Sequence, residues 1–440
     1  MHNTKRPTFA LAALALLAAS PLSFAIDAAT LPTIQSGAVG SRTAPAPLQL
    51  QGKLDEYRET DVWGRIRSGY AIPDLSNALV TRHTQAYANH PATLSRISGR
   101  ASPYLYHVVS ELEKRGMPTE LALLPVIESA FNPQAMSSAN AAGLWQFVPG
   151  TGKDFDLKQN MFKDERRGVV ASTDAALSYL QRLYTMFGDW PLALAAYNWG
   201  EGNVQRAIKK NQADGKPTDF ESLADLMPAE TRNYVPKLQA VKNVIANPGL
   251  YGVVLPAIDN QPYFTTVDKT SDIDLAVAAQ LAEMPLDEFK ALNPQFKKPV
   301  IIGGAQTQIL LPKENAEKFH VNLAQWGQAL STWTTHKITG ARVSIASLAS
   351  KFGTTPEVIR QANNIPAQSL LKVGSTILVP KISTSSHNDI AENIIDNAVV
   401  AFEADRGIVK RTAARFKTKA SASTNTKRIA RNTSSKRKQR

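Results

Sequence analysis

The stretch "LALLPVIESAFNP", Leu121 to Pro133, delivers one carboxylate, Glu128, at the end of an apolar run. Read as a helix that stops at Asn132-Pro133, it sets Glu128 in the last turn. There the unpaired carbonyls form the negative end of the helix dipole and disfavour a second negative charge. The neighbours Leu123, Leu124, Val126 and Ile127 exclude water and disfavour ionisation further. Both effects raise the carboxyl pKa, and an acid still protonated near neutrality is what general acid catalysis requires. Pro125 cannot donate to the carbonyl of Leu121, so a kink is expected one turn earlier. Alone, the segment reads equally well as a surface glutamate closing a helix.

Three further segments carry compatible chemistry. "GLWQF", Gly143 to Phe147, offers the amide of Gln146 between Trp145 and Phe147; "AAYNWGEG", Ala195 to Gly202, offers Tyr197, Asn198 and Trp199; "ETRNYVPKL", Glu230 to Leu238, offers Tyr234. Aromatic faces stack on the C–H faces of sugar rings, and amides bond N-acetyl and hydroxyl groups. One uncharged acid among aromatics and amides suits an amino-sugar polymer. Each segment alone is more often core than site, because Trp and Tyr usually just pack.

The elements that must position these residues are helical. From about Leu54 to Tyr251 the apolar spacing is that of helices almost throughout. Between Arg166 and Phe187, Val169, Ala176, Leu180, Leu183, Tyr184 and Phe187 recur at helical steps, with Asp164 as N-cap and Gly188 as stop. Asp189 caps a short buried helix, Trp190 to Tyr197, with Pro191 in its first turn, where a missing N–H costs nothing. Gly200 and Gly202 break it before a helix resumes at Asn203.

After Tyr251 the texture changes to strand–helix–helix–strand units, and a repeat emerges. "LAVAAQLAEMPLDEFKALNP" (Leu275 to Pro294) matches "IASLASKFGTTPEVIRQANN" (Ile345 to Asn364), with Asn293 opposite Asn363. Each unit closes on an apolar strand and a proline, "ILLP" at Ile309 to Pro312 and "ILVP" at Ile377 to Pro380.

The 440 residues allow two or three domains, and 43% apolar with 20% charged residues is a soluble globular composition. The absence of cysteine excludes zinc ribbons, thiol catalysis and disulfides. Residues 1–25 read as an export signal: Lys5 and Arg6 precede an apolar stretch from Phe9 to Ala19, and Ser23-Phe24-Ala25 fits a cleavage site. No lipoprotein cysteine follows it, so the mature chain is expected to be exported without a lipid anchor. Residues 26–53, rich in Ala, Pro, Ser and Thr, read as a linker. The net charge of +13 is local: Arg406 to Arg440 holds 13 Lys or Arg and no acidic residue, leaving 37 basic against 37 acidic elsewhere. That location argues against nucleic acid. Residues 383–440 are expected to be a disordered basic tail that can adhere to an anionic wall or membrane surface.

The motifs resemble those of the exported lytic transglycosylases of bacterial cell walls, specifically the membrane-bound lytic murein transglycosylase D family. Four match in order: Glu128-Ser129, Gly143 to Gln146, Ala196 to Gly200, and Tyr234. The resemblance implies a mainly α lysozyme-like transglycosylase domain (54–255), then small α+β (βααβ) LysM-type modules: a degenerate one at 263–313 and a better match at 331–382. It implies peptidoglycan glycan strands as partner and no cofactor or metal. Glu128 would be the sole catalytic carboxylate, acid then base, cutting between N-acetylmuramic acid and N-acetylglucosamine while a 1,6-anhydro ring closes. Ser129 would orient Glu128, Gln146 and Asn198 would hold substrate polar groups, and Tyr197 and Tyr234 would flank the acid. Trp145, Phe147 and Trp199 are candidates for stacking on sugar. Two departures stand out. Trp199 fills a position that is often small in the wider family, and Gly340-Ala341-Arg342 replaces the Gly-Asp-Thr common in LysM modules.

Other readings compete. "GTGK" at Gly150 to Lys153 lacks the earlier glycine of a phosphate loop and reads as a turn. His83 and His90 lie seven apart on a helical pattern and could share a face, but no third metal ligand accompanies them. Glu201 could serve as a second carboxylate, making the protein a hydrolytic muramidase. A non-enzymatic wall-binding protein, with Glu128 vestigial, is the remaining rival.

Overall fold

The computed structural model describes residues 61–268, 271–303, 307–340, 343–382 and 389–404. The signal, the 26–53 linker, Ala341-Arg342 and the basic run from Arg406 lie outside the described residues.

The first part of the chain is helical: α1 Val62–Ser68, α2 Ala78–Ala88, α3 Pro91–Lys114, α4 Leu124–Ser129, α5 Pro149–Asp154, α6 Val169–Phe187, α7 Trp190–Trp199, α8 Glu201–Ala213 and α9 Ala229–Ala246. At its centre lies α7, buried from Leu192 through Asn198 and packed on α6, α8 and α9. Asp189 caps it as expected, accepting from Leu192 N–H at 2.8 Å, with Pro191 in the first turn. Gly188, left-handed at φ 66°, stops α6.

Three expectations about these helices fail. Helix α6 begins at Val169, with Gly168 as N-cap, because Asp164 instead bonds Arg166 at 2.8 Å. Gly200 alone separates α7 from α8, and Gly202 lies inside α8, since Glu201 already adopts helical geometry. "GTGK" forms the body of α5, with Pro149 opening it.

Two small units follow. In the first, β1 Phe264–Asp268 pairs antiparallel with β4 Gln308–Pro312, and β2 Ile273–Asp274 pairs with β3 Val300–Ile301. Helices α10 Leu275–Leu281 and α11 Leu286–Leu292 lie between, and α12 Lys313–Ala324 packs on β1 and β4. In the second, β5 Trp333–Lys337 and β7 Thr376–Pro380 enclose α13 Ile345–Lys351 and α14 Pro356–Asn363. The repeat is structural: an aromatic residue faces the closing proline in both ladders, Phe264 with Pro312 and Trp333 with Pro380. The matched asparagines explain their own recurrence. Asn293 accepts from Leu310 N–H at 2.8 Å and donates to its carbonyl at 2.8 Å, while Asn363 does the same with Leu378 at 2.6 and 2.7 Å. Each buried amide thus ties the end of the second helix to the last strand with both halves satisfied.

The chain after 382 departs from expectation. Between β5 and β7 in sequence, β6 Ser369–Leu371 pairs with β8 Phe402–Ala404, and α15 Glu392–Asn397 precedes β8. Ile390 and Ala398 are buried beside Phe162, Val300, Ile302 and Leu378. Averaged over 383–440 the composition is polar and basic, which masks the apolar stretch Ile390 to Val400 that precedes the basic run and has enough apolar surface to dock.

The same cluster joins the units. Phe162 of the helical part inserts between them, its carbonyl accepting from Lys297 N–H at 2.8 Å, and Asp164 N–H donates to the Gln295 carbonyl at 2.9 Å.

Candidate active site

Glu128 is placed by an irregular helix. A 3₁₀ turn, Thr119–Leu123, gives way to α4 at Leu124, with Pro125 in the first turn. The expected kink is therefore a change of helix type, located where Pro125 has no N–H to continue the earlier hydrogen bonding. Glu128 does sit in the last turn. The helix ends sooner than Asn132-Pro133: Ala130 and Phe131 take left-handed φ values of 51° and 54°, and Phe131 N–H returns to the Pro125 carbonyl at 2.9 Å. Left-handed backbone is costly for residues with a Cβ, and burial of the Phe131 ring offsets the cost.

Opposite lies the loop from Asn140 to Phe147, shaped by two backbone constraints. Gly143 has φ 84°, and a Cβ there would meet the Arg166 carbonyl oxygen at 1.9 Å, so only glycine fits. Gln146, at φ 50°, is also left-handed. Arg166 holds the loop from behind, donating to the carbonyls of Asn140 at 2.6 Å and Phe147 at 3.1 Å while paired with buried Asp164.

Side chains from three helices fasten onto the loop. Ser129 Oγ donates to the Leu144 carbonyl at 2.9 Å and to Pro125 at 3.2 Å, and Tyr197 Oη donates to the Trp145 carbonyl at 2.8 Å. Trp145 Nε1 donates to Thr173 Oγ1 of α6 at 3.0 Å. Two expectations change as a result. Ser129 makes no hydrogen bond to Glu128; it ties the helix of the acid to the loop of Gln146. Trp145 is 0% exposed and cannot stack on a substrate.

Glu128 faces a tight slot of about 20 Å³, room for roughly one water. Gln146, Phe147, Tyr197 and Asn198 line it, together with Val148, Thr151 and Tyr179. Tyr234 Oη donates to Glu128 Oε1 at 2.5 Å. Burial pushes the Glu128 carboxyl up to about 7, against the Tyr234 hydrogen bond, which pulls it down; Glu230 raises it and Lys237 lowers it to lesser degrees. Tyr197 and Tyr234 stay neutral phenols, raised far above their ordinary range by burial first and by the Glu128 charge second. Asn198 Oδ1 accepts from Thr231 Oγ1 at 2.7 Å, which fixes its amide in the wall. Gln146 Nε2 donates to the Gly143 carbonyl at 2.8 Å.

Comparison with known proteins now bears on this site. Residues 108–220 match the Transglycosylase SLT domain, 263–328 the "Lytic transglycosylase MltD, LysM-like domain", and 344–380 the LysM domain. Membrane-bound lytic murein transglycosylase D of Escherichia coli (strain K12) is 37% identical over 331 residues, 72% of each chain. The chain belongs to the membrane-bound lytic murein transglycosylase D family. More distantly, membrane-bound lytic murein transglycosylase C of Haemophilus influenzae (strain PittEE) is 30% identical over 206 residues, 42% of this chain and 57% of its own.

As a family member the chain is a peptidoglycan lytic transglycosylase: a mainly helical lysozyme-like domain followed by small α+β LysM-type units. Among the described residues no helix is long and apolar enough to cross a membrane.

The remaining candidates separate cleanly. Phe147, 3% exposed, forms slot wall rather than an open platform. Trp199 is partly buried and off the slot, its carbonyl accepting from Asn203 at 2.5 Å. Glu201 also lies off the slot, held by Tyr179 Oη at 2.9 Å and by Arg182 at 3.1 Å. His83 bonds Asn233 and His90 the Ala86 carbonyl. Thr151 and Tyr179 were missed. Tyr179 falls one step from Leu180 on a core helix, and Thr151 lay inside the "GTGK" run read as a turn, so neither carried a distinguishing signal.

Tyr234→Phe is expected to move the upper limb of the pH–rate profile to higher pH, because the lost bond favoured the ionised acid. It should also lower kcat about tenfold or more, the scale of one charge-assisted hydrogen bond. An unchanged profile in the variant would show that the phenol is a bystander.

Proposed function

We propose that Glu128 performs both proton transfers of the lytic reaction. As acid it gives its proton to the glycosidic oxygen between N-acetylmuramic acid and N-acetylglucosamine, and the muramic C1–O bond breaks. As the carboxylate so formed, it takes the proton of the C6 hydroxyl on the same muramic residue, whose oxygen bonds C1 and closes the 1,6-anhydro ring. Atoms balance without water. The substrate's N-acetyl group stabilises the cationic centre between the two steps, so one carboxylate suffices where ordinary glycosidases use two.

The observation that carries this reading is the one carboxyl among the slot's described residues, with its pKa pushed to about 7 and a neutral phenol donating to it at 2.5 Å. Near neutrality such a group populates both the acid and the base form. Tyr234 steadies the carboxylate between transfers. Gln146 and Asn198 present amides to the acetamido and hydroxyl groups, and Tyr197 holds the Trp145 carbonyl and closes the slot below. Ser129 acts as a positioning residue through Leu144. The muramidase alternative draws no support from Glu201, whose oxygens are engaged by Tyr179 and Arg182.

The wider reading follows. Residues 1–25 direct export to the cell envelope, the unit at 331–382 grips glycan, the unit at 263–313 is mainly structural, and the basic run from Arg406 adheres to anionic wall or membrane. The deciding experiment is product analysis on purified murein. New 1,6-anhydromuramic ends accompany every cut if Glu128 works as described, whereas new reducing ends would mean hydrolysis.

A further inference from the structure

Where the catalytic domain meets the two LysM units lies a cleft of about 590 Å³. Three parts of the chain supply its charged and aromatic wall: Arg167 from the catalytic domain, Lys290, Lys297 and Lys298 from the first unit, and Trp333 from the second.

Among the described residues the three more buried cations, Arg167, Lys297 and Lys298, have no ion pair. Arg167 Nε is buried with no acceptor, and its guanidinium has no ion pair among the described residues. Lys297 Nζ donates to the Asn160 carbonyl and Lys298 Nζ to the Ala362 carbonyl, each at 2.9 Å. Those are dipoles, not charges. Lys290 has a long ion pair with the exposed Asp287, at 4.0 Å. The crowding registers in their chemistry: burial first, and Lys297 second, push the Lys298 ammonium down to about 8. Burial likewise lowers Lys297, whose partial compensation comes from Asp164, a carboxylate already committed to Arg166.

The one carboxyl among the described wall residues is committed to another partner. Asp274 Oδ2 is held by Thr332 N–H at 3.0 Å and Oγ1 at 2.6 Å, and its Oδ1 is buried without a partner. Burial raises its pKa first, and the Thr332 hydrogen bonds oppose the rise. Surplus positive charge in a partly desolvated cleft is unfavourable until an anion enters, and a free guanidinium beside lysines suits a carboxylate.

The cleft is also near the chemistry. Gln134 lies on its wall, six residues after Glu128, and six residues span at most about 20 Å. Asn132 Oδ1 accepts from Gln134 N–H at 3.0 Å and holds that connection in a turn. Murein is an amino-sugar backbone with peptide arms that end in carboxylates, so a strand passing Glu128 carries anionic arms past this cleft.

We propose that the cleft of Arg167, Lys290, Lys297 and Lys298 binds the carboxylates of a murein peptide arm, so that the catalytic domain and both LysM units read one arm together. The proposal deepens the reading that the glycan is cut at Glu128, and rests on it.

The test uses the full chain and two substrates, soluble murein strands with native peptide arms and the same strands with their carboxylates converted to carboxamides. The parent is expected to have a KM about tenfold lower on native strands, the scale of one charge-assisted contact. Arg167→Gln combined with Lys297→Gln erases that preference while leaving kcat on both substrates, and KM on amidated strands, unchanged. Lys290→Glu, at an exposed position that does not threaten the fold, reduces the preference in the same direction and decides the matter if the double variant melts early. Equal KM values for both substrates in the parent, or KM raised alike on both by the variants, overturns the proposal. Failure of the Glu128 reading shows elsewhere, as undiminished kcat in Glu128→Gln on both substrates.

Discussion

Glu128→Gln is expected to reduce murein cleavage by about 10⁴-fold, the upper range for losing a positioned acid–base group. The amide keeps the shape of the carboxyl and can still accept from Tyr234, so the loss reads proton transfer rather than packing. Release of soluble muropeptides from purified murein measures it. The same variant should be more stable than the parent. The folded pKa of about 7 lies above the ordinary 4.5, so the folded state binds the proton more tightly than the unfolded chain does. The parent therefore bears no penalty below pH 4.5, a growing one as pH rises, and the full penalty above pH 7. At 1.36 kcal/mol per unit the full penalty is on the order of 3 kcal/mol. Denaturant titrations at pH 4 and pH 8 check this sign: the stability gap between variant and parent opens only at the higher pH. A loss of activity with an equal gap at both would point to structural damage instead.

Arg166→Met is expected to give the largest loss of stability. Arg166 and Asp164 are 5% exposed each, with two nitrogens of the guanidinium on the two oxygens of the carboxylate at 2.9 and 2.8 Å. Removing one partner leaves a buried charge uncompensated, which costs about 3–5 kcal/mol. In a domain of this size that lowers the melting temperature by roughly 10 °C. The Asn140 carbonyl loses its Arg166 donor at the same time and the Phe147 carbonyl keeps only Ala142 N–H, so the loop carrying Gln146 loosens and kcat falls about 10²-fold, the scale of a small misplacement of a reacting group. Adding Asp164→Asn separates the two effects. The double variant recovers much of the stability, because no buried charge is left, but not the rate, because the guanidinium that braced the loop is still missing. Calorimetry together with initial rates reads both, and a double variant with full activity would show that the loop is held by other contacts.

The sequence was most legible where chemistry and periodicity coincide. Glu128 in a last turn, Asp189 as a cap, Pro191 in a first turn and Gly188 as a stop all follow from local backbone rules. The duplicated unit was visible in its asparagines, although the reason, an amide bracing the final strand, needs the tertiary pairing. What local rules could not supply is direction. Trp145 lies in the motif, yet it points into the core at Thr173, and Ser129 turns to Leu144. Asp164 looked like a cap because its competing partner, Arg166, acts from only two residues away and from within a turn. Left-handed residues such as Ala130 and Gln146 are also unreadable in advance, because tertiary packing, not local preference, imposes them.

The central claim is that one carboxyl, shielded by the slot and held by Tyr234, remains half protonated near neutrality. Carbon-13 NMR of the chain labelled at glutamate Cδ, with Glu128→Gln used to assign the signal, measures it directly. A resonance titrating near 7 and missing from the variant is the predicted result. A Glu128 signal that titrates at the ordinary value, near 4.5, would contradict it, since an acid already ionised at neutral pH has no proton to give.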